Sequence, residues 1–123
     1  MDAPLDPRLF RNVMGRFATG VTVLTLNVQG VARGMTANSV TSVSLDPMLV
    51  LCCIARTASM CPAFETESSF AVNVLAADQQ ALSRHFARPS AATEPMGGAP
   101  WRPGVTGTPI LEKTLAFAEC DIY

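Results

Sequence analysis

Helical spacing of apolar positions is clearest near the N-terminus. Leu9, Phe10, Val13, Met14 and Phe17 fall on one stripe, the i, i+3, i+4, i+7 pattern of an amphipathic helix. Asp6-Pro7 marks its start, an N-cap oxygen followed by proline at the first helical position, and Gly20 predicts its stop. The stripe predicts core or a dimer surface. From residue 21 the pattern turns to dense β-branched residues. Residues 21–28 predict a strand, Gln29-Gly30 a hairpin turn and 31–36 the returning strand. Residues 40–45 predict a third strand, with Val40 and Ser42 on one face and Thr41 and Val43 on the other. Asp46-Pro47 breaks it, and the apolar run 48–55 predicts a central strand buried on both faces.

The second half alternates likewise. Ser59 or Thr57 is predicted to cap a short helix through Met60, Phe64 and Glu67, with Pro62 in its first turn. Residues 70–75 predict a strand, and Asp78 is expected to cap a helix carrying Leu82 and Phe86 on one face. Residues 88–109 predict a loop, with five prolines, four glycines and the only tryptophan, Trp101, which is expected to plug the core beneath it. Residues 115–123 resume strand-like alternation. The sum is mainly β with short helices: antiparallel strands joined by hairpins, closing as a small barrel. The last strand would leave an open edge unless further strands or a second subunit cover it.

Length and charge narrow the function classes. At 123 residues the expectation is a single domain, 1–123. Net charge is −1 with no basic stripe, so no nucleic-acid partner is expected. The longest apolar run is eight residues, against about 20 for a bilayer-spanning helix. Met1-Asp2-Ala3-Pro4 lacks the features of a secretory signal, which predicts no membrane partner and a cytoplasmic setting. The four cysteines form no C-x-x-C, and the single histidine, His85, has no cysteine at ligand spacing. No metal site and no disulfide framework are therefore expected, only reduced thiols. Dinucleotide-binding glycine fingerprints, phosphate-loop lysines and nucleophile elbows are all missing, so no catalytic side chain is assigned.

What remains is the run 34–47, which places five Ser/Thr and Asn38 beside a core strand. Short hydroxyl and amide side chains at that density suit a polar, phosphate-bearing ligand. A flavin needs donors for its phosphate, partners for ribityl hydroxyls and backbone groups for the pyrimidine edge of its ring, and supplies the redox chemistry itself. Thr36, Asn38, Ser39, Ser42 and Ser44 can offer such groups. Arg56 can pair with a phosphate bidentately, and Ser59 offers a hydroxyl at a helix start.

At this point the chain resembles a known family. The segments Phe17-Ala18-Thr19-Gly20-Val21-Thr22-Val23-Leu24-Thr25, the 34–47 run, Leu49-Val50-Leu51, Phe70-Ala71-Val72-Asn73-Val74-Leu75, Gln79-Gln80-Ala81-Leu82-Ser83-Arg84-His85-Phe86 and Gly107-Thr108-Pro109-Ile110-Leu111 resemble, in order, the flavin reductase-like FMN-binding split-barrel family. These are the reductase components of two-component flavin monooxygenases. The resemblance implies a split-barrel homodimer, Greek-key-like and antiparallel. It implies NADH or NADPH reducing FMN or FAD, with the reduced flavin passed to a flavin-dependent monooxygenase component. Carried over by position, Thr36, Ala37, Asn38 and Ser39 would contact the ring and ribityl chain, and Ser42 and Val43 would add backbone contacts. Cys53, Ile54, Ala55 and Arg56 would line the next strand, with Arg56 and Ser59 towards the phosphate and His85 and Phe86 approaching from a helix end. The family pattern continues with a Gly-Asp-His segment near the nicotinamide and final strands that are absent here, and the stretch Ala92-Thr93-Glu94-Pro95-Met96 replaces its usual Asp-Lys-Phe run. The alternative expectation is accordingly a non-catalytic flavin carrier, or a truncated dimeric fragment without a nicotinamide site.

Overall fold

The structure is a computed structural model that describes residues 3–88 and 95–123. Met1-Asp2 and Ala92-Thr93-Glu94, read above from sequence, lie outside the described residues. Four antiparallel strands form the main sheet in the order β2-β1-β5-β8: β1 (Thr22–Val28), β2 (Val31–Ala37), β5 (Ser69–Val74) and β8 (Ala116–Asp121). Gln29 and Gly30 both take positive φ, the backbone of a tight hairpin whose twist matches its strands. They set the register from Thr22↔Ala37 to Val28↔Val31. Two hairpins complete the β structure, β3 (Val40–Leu45) with β4 (Met48–Cys52), and β6 (Trp101–Pro103) with β7 (Pro109–Leu111).

The sheet buries apolar side chains on both faces. On one, Leu24, Leu26, Phe70 and Val72 pack with Met60 and Ala63 from around α2 (Cys61–Thr66). On the other, Val23, Leu75 and Leu111 pack with Met96, Ala99 and Phe86, the last residue of α3 (Gln80–Phe86). The strand buried on both faces is thus β1, whose first five residues are all buried. Residues 48–55 do not fill that role. Only Met48–Cys52 are strand, paired with β3 alone and none of them buried. A continuous apolar run states that both faces need cover; here that cover does not come from the described part of the chain.

Smaller expectations are also corrected, among them the loop predicted over 88–109, within which Trp101–Pro103 form β6. Met60 occupies the N-cap of α2, with no side-chain cap bond, so neither Thr57 nor Ser59 caps it. Asp78 lies within a 3-10 turn, Ala77–Gln79, where the Gln79 side-chain Oε1 accepts from the Ala76 N–H at 2.8 Å. Trp101 is 43% exposed on β6 and plugs nothing. The first helix, α1 (Pro7–Met14), starts as expected, with the Asp6 carboxylate accepting from Arg8 N–H at 2.9 Å. It ends at Gly15 rather than Gly20 and buries none of its residues.

A buried polar knot joins the β6–β7 hairpin to the sheet. The Asn73 amide donates to the Val23 carbonyl and to the Thr25 hydroxyl, each at 2.9 Å, and its oxygen accepts from Leu111 N–H at 3.0 Å. The Thr25 hydroxyl donates in turn to the Pro109 carbonyl.

Candidate functional site

Among the described residues β2 is an edge strand, so its outer edge carries backbone donors and acceptors without a strand partner there. It runs into the connection Asn38-Ser39 and then β3. Cys53 N–H donates to the Ser39 carbonyl at 2.9 Å, and Val40 pairs with Cys52. These contacts bring the 36–39 segment against the exit of β4, where Cys53, Ile54, Ala55 and Arg56 follow. Ile54, Cys52, Val40 and Met35 all pack against the Leu24–Leu26 face, which fixes the base of this wall. Ser42, exposed, pairs with Val50, and the register slips between Ser42 and Ser44, so Val43 sits in a bulge and is exposed.

The predicted residues divide into three groups. Asn38, Ser39, Ser42, Val43, Cys53, Ala55 and Arg56 are exposed on the wall, and the side chains of Asn38, Ser39, Ser42 and Arg56 make no hydrogen bond or ion pair to a described residue. That donor set, solvated and unengaged, fits a polar ligand. Ala37 and Ile54 are packed inward and can offer only backbone. Thr36 is already committed, its hydroxyl donating to the Ser83 carbonyl of α3 at 2.6 Å.

The α3 residues stand differently from the rest. Phe86 is 3% exposed and belongs to the second core cluster. Its ring lies so close to Gly34 that a Cβ there would be 2.9 Å from two ring carbons. His85 packs edge-on to Phe86, with ring centroids 5.0 Å apart, and lies beneath Gly97. Thr36 and Gly34 pair with Val23 and Thr25, so α3 sits on the Val23 face of β2, opposite the face that carries Ile54. His85 and Phe86 therefore do not join the 38–56 wall directly; they back it through β2.

Ser59 is exposed and opens on a cleft of about 280 Å³. Arg56 does not line that cleft, whereas Arg33 does, with Val28, Met60 and Ala63. Sequence reasoning passed over Arg33. The available signal was its position between Val31 and Met35 on the face that pairs with Leu26, a cation on an otherwise apolar face.

Two thiols of this region, Cys52 and Cys120, are muted. Burial pushes the Cys52 thiol up to about 11, with further contributions from Cys120 and Cys53. Burial also raises Cys120, with Asp121 adding to it. All four cysteines are free, and no group of metal-ligating side chains occurs among the described residues.

The profile of the flavin reductase like domain matches residues 14–123. The chain belongs to the flavin reductase-like family. Among its relatives, it is 38% identical over 122 residues to the flavin-dependent monooxygenase reductase subunit HsaB of Mycobacterium tuberculosis, covering 99% of this chain and 64% of that protein. It is 45% identical to the FMN reductase (NADH) SmoA of Agrobacterium fabrum, covering 94% and 64%. The chain thus spans just under two thirds of the length of both. Among solved structures, the NADH:FAD oxidoreductase SgcE6 of Streptomyces globisporus, in complex with NAD and FAD fragments, superposes with a TM-score of 0.88 at 42% identity over 98% of this chain and 74% of that one. The neighbouring structures are split-barrel flavin reductases, so this flavin reductase-like chain has the mainly β, antiparallel architecture expected of it.

Proposed function

We propose that this flavin reductase-like chain binds FMN or FAD along the 36–44 and 53–59 wall and reduces it with NADH or NADPH, delivering reduced flavin to a monooxygenase component. The carrying observation is the junction of Ser39 with Cys53. It joins the end of β2 to the exit of β4, the two segments that carry the unengaged donors of Asn38, Ser39 and Arg56, with Ser42 following on β3. The naming of relatives as reductase subunits and FMN reductases supports the reaction, and the NAD and FAD fragments in SgcE6 support the pair of cofactors. A flavin held there would supply the hydride-accepting chemistry. The chain's own part is to hold the ring edge on backbone groups of 36–39, and to place donors where negative charge develops on the reduced ring.

The working unit in this reading is a homodimer of one split-barrel domain. An eight-residue helix in isolation is marginal in water, yet α1 leaves Leu9, Phe10, Val13 and Met14 uncovered. The β3–β4 tip exposes Leu45 at 86% and Met48 at 85%. A second copy would cover these surfaces and deepen an open wall into a cleft. No described helix is long and apolar enough to cross a membrane. Together with four free thiols, which suit a reducing compartment, this supports a cytoplasmic reading.

The test is direct. Purified protein titrated with FMN and FAD should quench flavin fluorescence, and NADH or NADPH absorbance should fall when flavin is added. Asn38→Ala and Ser39→Ala should weaken flavin binding about ten-fold each, the scale of a lost hydrogen bond that leaves a polar partner unmet, while Glu65→Ala should not. Flavin binding without nicotinamide oxidation would leave a flavin carrier in place of the reductase. Equal effects at positions 38, 39 and 65 would mean the wall is not the site.

A further inference from the structure

We propose that Cys52 and Cys120 are a redox pair, which hydrogen peroxide oxidises to a disulfide that staples the β3–β4 hairpin to the main sheet. Cys52 is the last residue of β4 and Cys120 lies in β8, strands of two different sheets. Cys120 pairs with Phe70, and directly opposed residues of an antiparallel pair share a face. Its side chain therefore lies on the face that carries Leu24, Leu26 and Phe70. Cys52 pairs with Val40, and Cys52, Val40 and Cys120 all pack against that same cluster. Two thiols thus meet one patch of core from elements that share no strand pairing. Each is free and half-buried, within reach of a molecule as small as hydrogen peroxide. Their charges also interact. After burial, Cys120 contributes most to raising the Cys52 thiol, ahead of the adjacent residue Cys53, an influence that requires close approach.

The oxidation balances with peroxide alone. The first thiolate attacks one peroxide oxygen, giving a sulfenic acid and releasing hydroxide, which takes up the thiol proton. The second sulfur attacks the sulfenic sulfur, and water leaves. The thiols give up two electrons and two protons, and hydrogen peroxide becomes two waters. Burial raises both thiols, which keeps thiolate scarce at neutral pH, so the bridge answers sustained peroxide and not a single turnover. Reduced flavin that meets dioxygen instead of an oxygenase forms hydrogen peroxide; this source, unlike the pair itself, rests on the flavin reading above. The consequence is mechanical. Among the described residues β3 and β4 pair only with each other. A bridge at Cys52 would anchor the hairpin covalently, one residue from the Cys53 N–H that holds the Ser39 carbonyl at 2.9 Å.

The test counts thiols and follows melting. The unmodified chain, C52A, C120A and the double variant C53S/C61S, which keeps only the proposed pair, would be treated with hydrogen peroxide. C53S/C61S should lose both thiols, drop by about 2 Da and run as a single chain on non-reducing electrophoresis. In the unmodified chain, peptide mapping should join the segment holding Cys52 to the one holding Cys120. Both oxidised chains should melt at least about 5 °C higher, the scale of a long-range cross-link, and dithiothreitol should reverse the shift. C52A and C120A should show no shift. Sulfinic or sulfonic acid without a bridge, a bridge between two chains, a shift retained in C52A or C120A, or an oxidised chain no more stable than the reduced one overturns the pair. The unmodified chain oxidising NADH with FMN in air should also bridge, and catalase should prevent it. Bridging by added peroxide but not during NADH oxidation overturns the flavin-derived source and spares the pair, whereas absence of NADH oxidation overturns the flavin reading instead.

Discussion

At the scale of single residues, the best-determined side chain is Asn73. All three of its hydrogen bonds are to groups buried with it, and the amide has no exposure. Asn73→Leu would leave the Leu111 N–H without an acceptor and remove the donors to Val23 and Thr25. It should lower unfolding free energy by about 3 kcal/mol, read from urea denaturation. Thr25→Val should cost less, about 1 kcal/mol. The double variant should fall short of the sum, because both residues serve one network. Glu119 acts at the surface in a different way. Its carboxylate accepts from the Thr106 hydroxyl at 2.7 Å, the Thr106 N–H at 2.9 Å and the Val105 N–H at 3.2 Å. Those bonds, the Thr106 hydroxyl first, hold its carboxyl below the ordinary range. A depressed folded pKa stabilises the fold above the unfolded carboxyl value and loses that contribution as pH falls through the folded value. The melting-temperature gap between the unmodified chain and Glu119→Gln should therefore be widest near pH 7 and close towards pH 3. A gap that is constant with pH would show that the carboxylate charge is irrelevant. Neither role was legible in the sequence. Nothing in the spacing of residues 25, 73 and 111, or of 106 and 119, announces a contact, since it is the packing of the β6–β7 hairpin against the main sheet that brings them together.

Among elements, local signals were read well and partnerships less so. The start of α1, the Gln29-Gly30 hairpin and the strands near 21–28, 70–75 and 115–123 follow from caps, turn residues and period-two patterning, which act within a few residues. The 48–55 run was misassigned as central because periodicity reports how much apolar surface needs cover and not which element provides it. The link between β2 and α3 illustrates how the wall is braced. Gly34 admits the Phe86 ring and the Thr36 hydroxyl binds the Ser83 carbonyl. Gly34→Ala would force a buried ring at 2.9 Å to move and should cost about 2 kcal/mol. Thr36→Val should cost about 1 kcal/mol, with Thr36→Ser restoring most of it. If β2 presents the ring-binding backbone, Gly34→Ala should weaken FMN more than its loss of stability accounts for at temperatures well below melting. Unchanged FMN affinity in a folded Gly34→Ala chain would show that α3 is scaffold alone. The candidate site was legible as a donor-rich run at 34–47, because its residue types are unusual for a strand edge. Arg56 and Ser59 lie close in the sequence, and in the structure Ser59 opens on a cleft that Arg33 lines and Arg56 does not.

For the whole molecule, the decisive quantity is uncovered apolar surface. Leu9, Phe10, Val13, Met14 and Phe17 on and after α1, and Val43, Leu45, Met48, Val50 and Leu51 on the β3–β4 hairpin, are all exposed in the single chain. Contiguous patches of that kind on a water-facing protein mark interaction surfaces, and burial of each large side chain is worth about 1.5–3 kcal/mol. A two-stranded hairpin is itself marginal when it stands alone. The hairpin also carries Ser42 and Val43 of the candidate wall, so whatever covers its apolar residues also orders the site. With a second copy as that cover, light scattering after size exclusion should give twice the mass of one chain. Replacing both tip residues, Leu45→Glu with Met48→Glu, should shift the protein to monomer and lower FMN affinity in step, because like charges would meet across the contact. Phe10→Glu with Val13→Glu tests the helix in the same way, at a distance from the wall. If both double variants remain dimeric, the copies meet elsewhere. If they become monomeric while FMN affinity holds, each chain builds its flavin wall alone, and the dimer serves only to keep α1 and the hairpin folded.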